Sequence, residues 1–158
     1  TLAQALAAYH HINQNLETVV EQKTRALLES ESHFRGFFEH NTSVMLQIDP
    51  HTGQVMLANQ AAADFYGYSL DALMAMHITD LNCLAPEETQ VQMALAEHEN
   101  RHSFIFQHRL RSGEVRDVEV YSAPMHTNQK AVLFSVIHDI TERLATERKL
   151  KINDQALM

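Results

Sequence analysis

KAVLFSVIHDITER, Lys130 to Arg143, is the stretch on which the fold turns. From Ala131 to Ile140 it is rich in β-branched and aromatic residues. Apolar side chains occupy both parities: Leu133 and Ile137 on one face, Val132, Phe134, Val136 and Ile140 on the other. A strand apolar on both faces is expected to be central in its sheet and covered on both sides. The run breaks at Asp139-Ile140-Thr141-Glu142-Arg143. Asp139 and Thr141 are good helix N-caps, and Glu142 follows Asp139 at the spacing of a capping-box acid. Leu144 to Leu150 then read as helix. A buried strand that runs straight into a charged helix makes a mechanical link: what shifts the sheet shifts the helix.

Working back from that strand, Val115 to Met125 alternates, with Val118 and Val120 opposite Asp117, Glu119 and Tyr121. Ser112-Gly113-Glu114 is a hairpin turn, and Ser103 to Arg111 alternates before it, with Phe104, Phe106 and His108 sharing one face. Earlier, Ser43 to Asp49 and Gln54 to Ala58 read as a hairpin around Asp49-Pro50-His51-Thr52-Gly53, where Pro fixes φ and Gly tolerates positive φ. Between the two sets of strands lie helices: one from Asn59 closed by Gly67, one capped by Ser69, a brief one around His77 to Leu84, and a longer one from Pro86 to about Asn100. Hairpins join the last three strands, so the sheet is antiparallel and the class is α+β.

Residues 1 to about 34 lack Pro and Gly. Leu6, Asn13, Val20, Leu27 and Phe34 repeat every seventh position, and Leu2, Tyr9, Leu16, Lys23 and Ser30 form the offset series. This is a heptad seam with Asn13 at an a-type position, which favours a parallel two-stranded register. The expectation is a coiled-coil homodimer helix carried by Leu6, Asn13, Leu16, Val20 and Leu27. The alternative is a lone amphipathic helix packed on its own domain. The domain boundaries expected are 1–32 for this helix, 33–143 for the α+β domain and 144–158 for a C-terminal linker helix.

Composition narrows the class. The formal net charge of −8 argues against nucleic acid as a partner, because phosphate binding needs a basic face. No apolar run approaches a membrane span. The single cysteine, Cys83, excludes an internal disulfide and fits a reducing compartment. The chain begins at Thr and has no signal peptide, which reads as part of a longer, cytoplasmic protein, or the cytoplasmic part of a membrane-anchored one.

The ordered set of pieces resembles a PAS (Per-Arnt-Sim) domain with its C-terminal PAC part, from about Glu31 to Arg143. SESHFRGFFEHN is similar to the family's leading helix. IDPHTGQVMLANQAAADFYGYSLDAL resembles its first hairpin, its Asn-x-Ala-Ala helix and its Gly-Tyr-Ser turn. FQHRLRSGEVRDVEVYSAP resembles its paired strands, and HDITER is similar to its strand-to-helix signature. LETVVEQKTRALLESE resembles the signalling-helix linkers of bacterial sensors, and ERKLKINDQALM the lead-in to a further PAS domain. The resemblance implies the PAS fold, a five-stranded antiparallel sheet with short helices on one face, in a non-catalytic sensory and dimerisation module of a bacterial multidomain protein. Its signal relay would run through Asp139, Ile140, Thr141, Glu142 and Arg143 to a downstream output domain in the same chain. That output would be a diguanylate cyclase, a phosphodiesterase or a histidine kinase, although no GGDEF string, EAL string or ATP-binding Gly-rich loop occurs here. A purely structural dimerisation connector, without ligand, is the alternative.

Three chemistries were weighed on residues. His98-Glu99-Asn100-Arg101-His102 is H-E-x-x-H, the pattern of a zinc hydrolase, and His108 falls where a third ligand would stand. Ile105 occupies the place of that pattern's Gly, and a helix ending near Asn100 would put the two histidines on different elements, so no metal site is expected. Flavin-binding relatives carry a cysteine in an Asn-Cys-Arg-Phe-Leu-Gln context; Asn82-Cys83-Leu84-Ala85-Pro86 departs from it, and there is no Trp. His98 is the one candidate haem ligand near the long helix. Neither haem nor flavin is expected, and no tightly bound cofactor. The pocket between sheet and helices would be lined by Met45, Met56, Phe65, Met93, Phe104, Phe106 and Leu133, with His108 as the polar group that points inward. Such a lining is either plain core or the site of a small ligand.

Overall fold

A computed structural model describes residues 1–98, 102–127 and 130–157 of the 158-residue chain, and the side chains of 98, 127 and 154–157 are left undescribed. Two units emerge, Thr1–Phe38 and Glu39–Met158. The first consists of most of helix α1 (Leu2–His40), which runs unbroken past the boundary expected at residue 32. No Pro interrupts it, and Gly36 has open space around it. Leu6, Leu16, Val20 and Leu27 are all more than half exposed, and Asn13 is half-buried, so most of the apolar stripe is open.

The second unit starts where α1 ends. Asn41 turns the chain by accepting the Ser43 N–H on its side chain at 2.9 Å. Strand β1 (Val44–Ile48) follows, then β2 (Val55–Ala58), α2 (Gln60–Tyr66), α3 (Leu70–Met74), α4 (Ile78–Leu81), α5 (Pro86–His98), β3 (Ser103–Arg109), β4 (Val115–Thr127), β5 (Lys130–Asp139) and α6 (Thr141–Leu157). Among the described residues the strands form one antiparallel sheet of five in the order β2-β1-β5-β4-β3.

Local chemistry sets the connections. The β1–β2 turn closes with the Gly53 N–H on the Asp49 carbonyl at 2.8 Å, while the Asp49 carboxylate accepts from His51 and Thr52. Gly53 sits at φ 76°, a conformation that glycine adopts without strain. Fully buried Asn59 caps α2: its side-chain oxygen accepts from Ala62 and from Met45 of β1, and its amide donates to the Ser43 carbonyl. One residue therefore fixes α2 against the sheet. Ser69 caps α3 on the Ala72 N–H.

The core lies between one sheet face and helices α2 to α5. Leu46, Val118, Leu133 and Ile137 meet Ala62, Tyr66, Leu73, Leu81 and Met93 there. β5 lies between β1 and β4, but its two faces differ. Leu133, Ser135 and Ile137 are buried under the helices; on the outer face Val132 is buried, while Phe134 and Val136 are half-buried. The expectation of cover on both sides is met in part: helices α2 to α5 lie on one face, while the outer face is buried at Val132 and Met45 and half-open at Phe134 and Val136. No helix among the described residues is long and apolar enough to cross a membrane.

Candidate functional site

Alternation along β3 places Phe104, Phe106 and His108 on the inner face, where their rings stack in a column with centroids 5.5 and 6.3 Å apart. β4 adds Val120 and Ser122, and β5 adds Leu133, Ser135 and Ile137. Met93 and Gln92 of α5, Ile78 of α4 and Asn82 after it close the far side. Together they enclose a cavity of about 40 Å³. That is room for about three water-sized groups, far below the ~300–1,000 Å³ of pockets that take drug-sized molecules. The residues as arranged do not fit a haem or a flavin.

The polar groups of this cavity are buried and uncharged. His108 is 1% exposed, and its Nδ1 lies 2.8 Å from the hydroxyl of Tyr66, which is fully buried. Burial pulls the imidazole from its ordinary 6.5 down to about 4, so it is neutral at pH 7. Burial also pushes the Tyr66 phenol well above its usual value. His108 Nε2 and the side-chain oxygen of Gln92 are buried with no hydrogen-bond partner among the described residues. Ser122 and Ser135, cross-strand partners in the ladder, bond to each other at 2.7 Å. No Asp, Glu, Lys or Arg appears among the described residues lining the cavity.

The strands that wall the cavity end together at the start of α6. Val120 pairs with Ile137 in the register, and Val118 with Asp139. The Ile140 N–H donates to the Asp117 carbonyl at 2.8 Å, and Ile140 itself is buried. The Thr141 hydroxyl donates to the Asp139 carboxylate at 2.6 Å and accepts the Asp117 N–H at 2.9 Å. The same carboxylate accepts the Thr141 N–H at 3.0 Å, and Arg116 binds its other oxygen at 2.8 Å. Burial alone would raise the Asp139 carboxyl, but the Thr141 and Arg116 hydrogen bonds outweigh it and the net shift is downward. Arg143 of α6 reaches Glu119 of β4 at 3.7 Å.

The structure separates the residues singled out from sequence. Met93, Phe104, Phe106, His108 and Leu133 line the cavity. Met45 is buried on the opposite sheet face, because successive strand residues alternate and its neighbour Leu46 faces the helices. Met56 is 39% exposed: a bulge opposite Gln47 and Ile48 leaves Met56 and Leu57 both facing out, and Val55 takes the inner position. Phe65 lies beside the buried face of α2, edge-on to Tyr66 at 4.9 Å, and borders a surface cleft with Asn41 and Val44 instead. Sequence reasoning missed Tyr66, Gln92, Ser122 and Ser135. For Tyr66 a signal existed, a polar-tipped aromatic at the end of an Ala-rich helix; a glutamine on a polar helix carries none.

At the junction Asp139 caps the first N–H of α6, but Thr141 clamps strand β4 rather than a helix N–H. The expected capping box through Glu142 is replaced by this cross-strand bond. In the H-E-x-x-H stretch, His98 ends α5 and the His102 ring lies 3.2 Å from the Ser122 carbonyl. Glu99, Asn100 and Arg101 lie outside the described residues.

Comparison with known proteins agrees with this architecture. The chain is 30% identical over 125 residues to diguanylate cyclase DgcM of Escherichia coli, an alignment covering 78% of this chain and 30% of the relative. It is 29% identical over 140 residues to a methyl sulfide methyltransferase-associated sensor of Methanosarcina acetivorans, covering 86% of this chain and 14% of that protein. It thus spans under a third of these relatives. The PAS domain of an HTR-like protein from Haloarcula marismortui superposes with a TM-score of 0.67 at 20% identity, over 76% of this chain and 99% of the other. A family model described as PAS domain matches residues 41–142. The chain belongs to the PAS domain family, the regulatory sensory modules of signal-transduction proteins.

Proposed function

We propose that this module senses through the cavity and relays its state, through the Asp139–Arg143 junction and α6, to a downstream output domain in the same chain. A diguanylate cyclase is the output best supported, because the 30% identity to DgcM extends over most of this chain. A histidine kinase is the alternative. The observation that carries the relay is the shared end of the cavity walls. β4 and β5 supply Val120, Ser122, Leu133, Ser135 and Ile137 to the cavity, and Thr141 fastens α6 to Asp117 of the same β4. A displacement of either strand changes the footing of the helix. Dimerisation through the seam of α1, by Leu6, Asn13, Leu16, Val20 and Leu27, would align two such outgoing helices, and the exposure of that stripe supports it. A cytoplasmic location fits the single unpaired cysteine, which is exposed.

The test is output activity of the full-length protein with Thr141→Val and with Asp139→Ala. Each variant should keep the fold and lose the response to signal. An unchanged response in both would sink the relay. Light scattering with and without residues 1–30 tests the dimer: a monomer in both forms contradicts it. A ligand-free connector predicts that natively purified protein carries no stoichiometric small molecule by mass spectrometry and that cavity variants leave output unchanged.

A further inference from the structure

The cavity holds two buried hydrogen-bonding atoms, His108 Nε2 and the Gln92 side-chain oxygen, that have no partner among the described residues. Their chemistry is fixed by the neighbours. The Tyr66 hydroxyl has its partner in His108 Nδ1, and a buried phenol hydrogen left without an acceptor is costly. Tyr66 therefore donates, Nδ1 accepts, and the neutral ring carries its proton on Nε2. Among the fully buried wall atoms that lack a partner in the described residues, this leaves one donor, Nε2–H, and one acceptor, the Gln92 oxygen. A molecule that satisfies both must carry an acceptor and a donor of its own. It must be uncharged, because no ionised lining side chain could compensate a charge taken out of water. It must be small, with about three or four non-hydrogen atoms in the 40 Å³ available, and otherwise apolar to match Met93, Phe104 and Leu133.

We infer that the cavity is a site for a small uncharged molecule of primary-amide chemistry, held between His108 Nε2–H and the Gln92 side-chain oxygen. This rests on reading the cavity as the sensing site, and it names the ligand class of that site. Gln92, Phe104 and Phe106 also border an outward cleft with Cys83, Leu84 and Gln107, so these three side chains stand between that cleft and the cavity.

The test uses acetamide, with acetate as the isosteric anion and acetone as the isosteric neutral molecule without a donor. Histidine-ring nitrogen spectra report the site directly, with His108 assigned by the signal lost in His108→Gln. At about 50 mM, suited to a ligand of so few atoms, acetamide should shift the His108 Nε2–H signal and leave the other histidines in place. Acetone should bind roughly tenfold more weakly, acetate should give no shift, and Gln92→Met should weaken acetamide roughly tenfold with an unchanged circular dichroism spectrum. An acetate shift equal to that of acetamide, or no acetamide shift in the folded protein, overturns the inference. Because binding is read without any output domain, a positive shift beside an unresponsive full-length protein would overturn the relay and leave the ligand class standing.

Discussion

Two polar constellations of this domain differ in a way that assigns their work. Around His108 the groups are buried, uncharged and incompletely partnered. Around Asp139 they are near solvent, charged and bonded throughout: one carboxylate takes the Thr141 hydroxyl, the Thr141 N–H and the Arg116 guanidinium. An unpaired buried atom is a standing cost that a ligand can remove, so the first constellation can change state. A saturated network holds its geometry, so the second can pass a displacement on without absorbing it. In the proposed relay the first would receive, the second would transmit, and the same two strands would join them.

The contrast is broken most strongly by acid. His108 has its folded-state pKa near 4 against 6.5 unfolded, so the unfolded chain takes up the proton first as pH falls. The stability that depends on neutral His108 is complete above pH 6.5 and drains away toward pH 4, amounting to about 3 kcal/mol. Denaturant unfolding at both pH values measures it, and His108→Phe should flatten that slope; equal slopes in both proteins contradict the burial. Asp139 shifts in the opposite region, since its lowered carboxyl loses its contribution only below the ordinary carboxylate range.

A smaller effect is expected from Tyr66→Phe, which keeps the ring and strands His108 Nδ1, at about 1–3 kcal/mol in urea unfolding. Thr141→Val removes an exchangeable hydroxyl at the less buried constellation and should cost about 1 kcal/mol, while changing the helix footing far more than the stability. Arg116→Ala should be least, below about 1 kcal/mol and fading with added salt, as for other solvent-facing ion pairs. A larger loss for Arg116→Ala than for Tyr66→Phe would reverse the assignment of the two constellations.

Much of this was legible in the residues, for physical reasons. Strand alternation fixes which side chains share a face, so Phe104, Phe106 and His108 could be placed together from spacing alone. Turn and cap chemistry marked Asn59, Ser69 and Gly53. What escaped depends on partners distant in sequence. A bulge opposite Gln47 turned Met56 outward, and no local signal in Gln54 to Ala58 announces it. Tyr66 and His108 meet across the fold, and so do Ser122 and Ser135, through a register that only the assembled sheet defines. Capping is the local use of threonine, so sequence alone points the Thr141 hydroxyl at a helix N–H. Its strand partner Asp117 lies in another element.

In the proposed relay the cavity is heard at α6 only through the junction. The direct measurement is output activity of the full-length protein in a double-mutant cycle of His108→Phe and Thr141→Val. The account predicts that His108→Phe changes output in the otherwise native protein and has no effect once Thr141 is replaced. The same change in both backgrounds would contradict it.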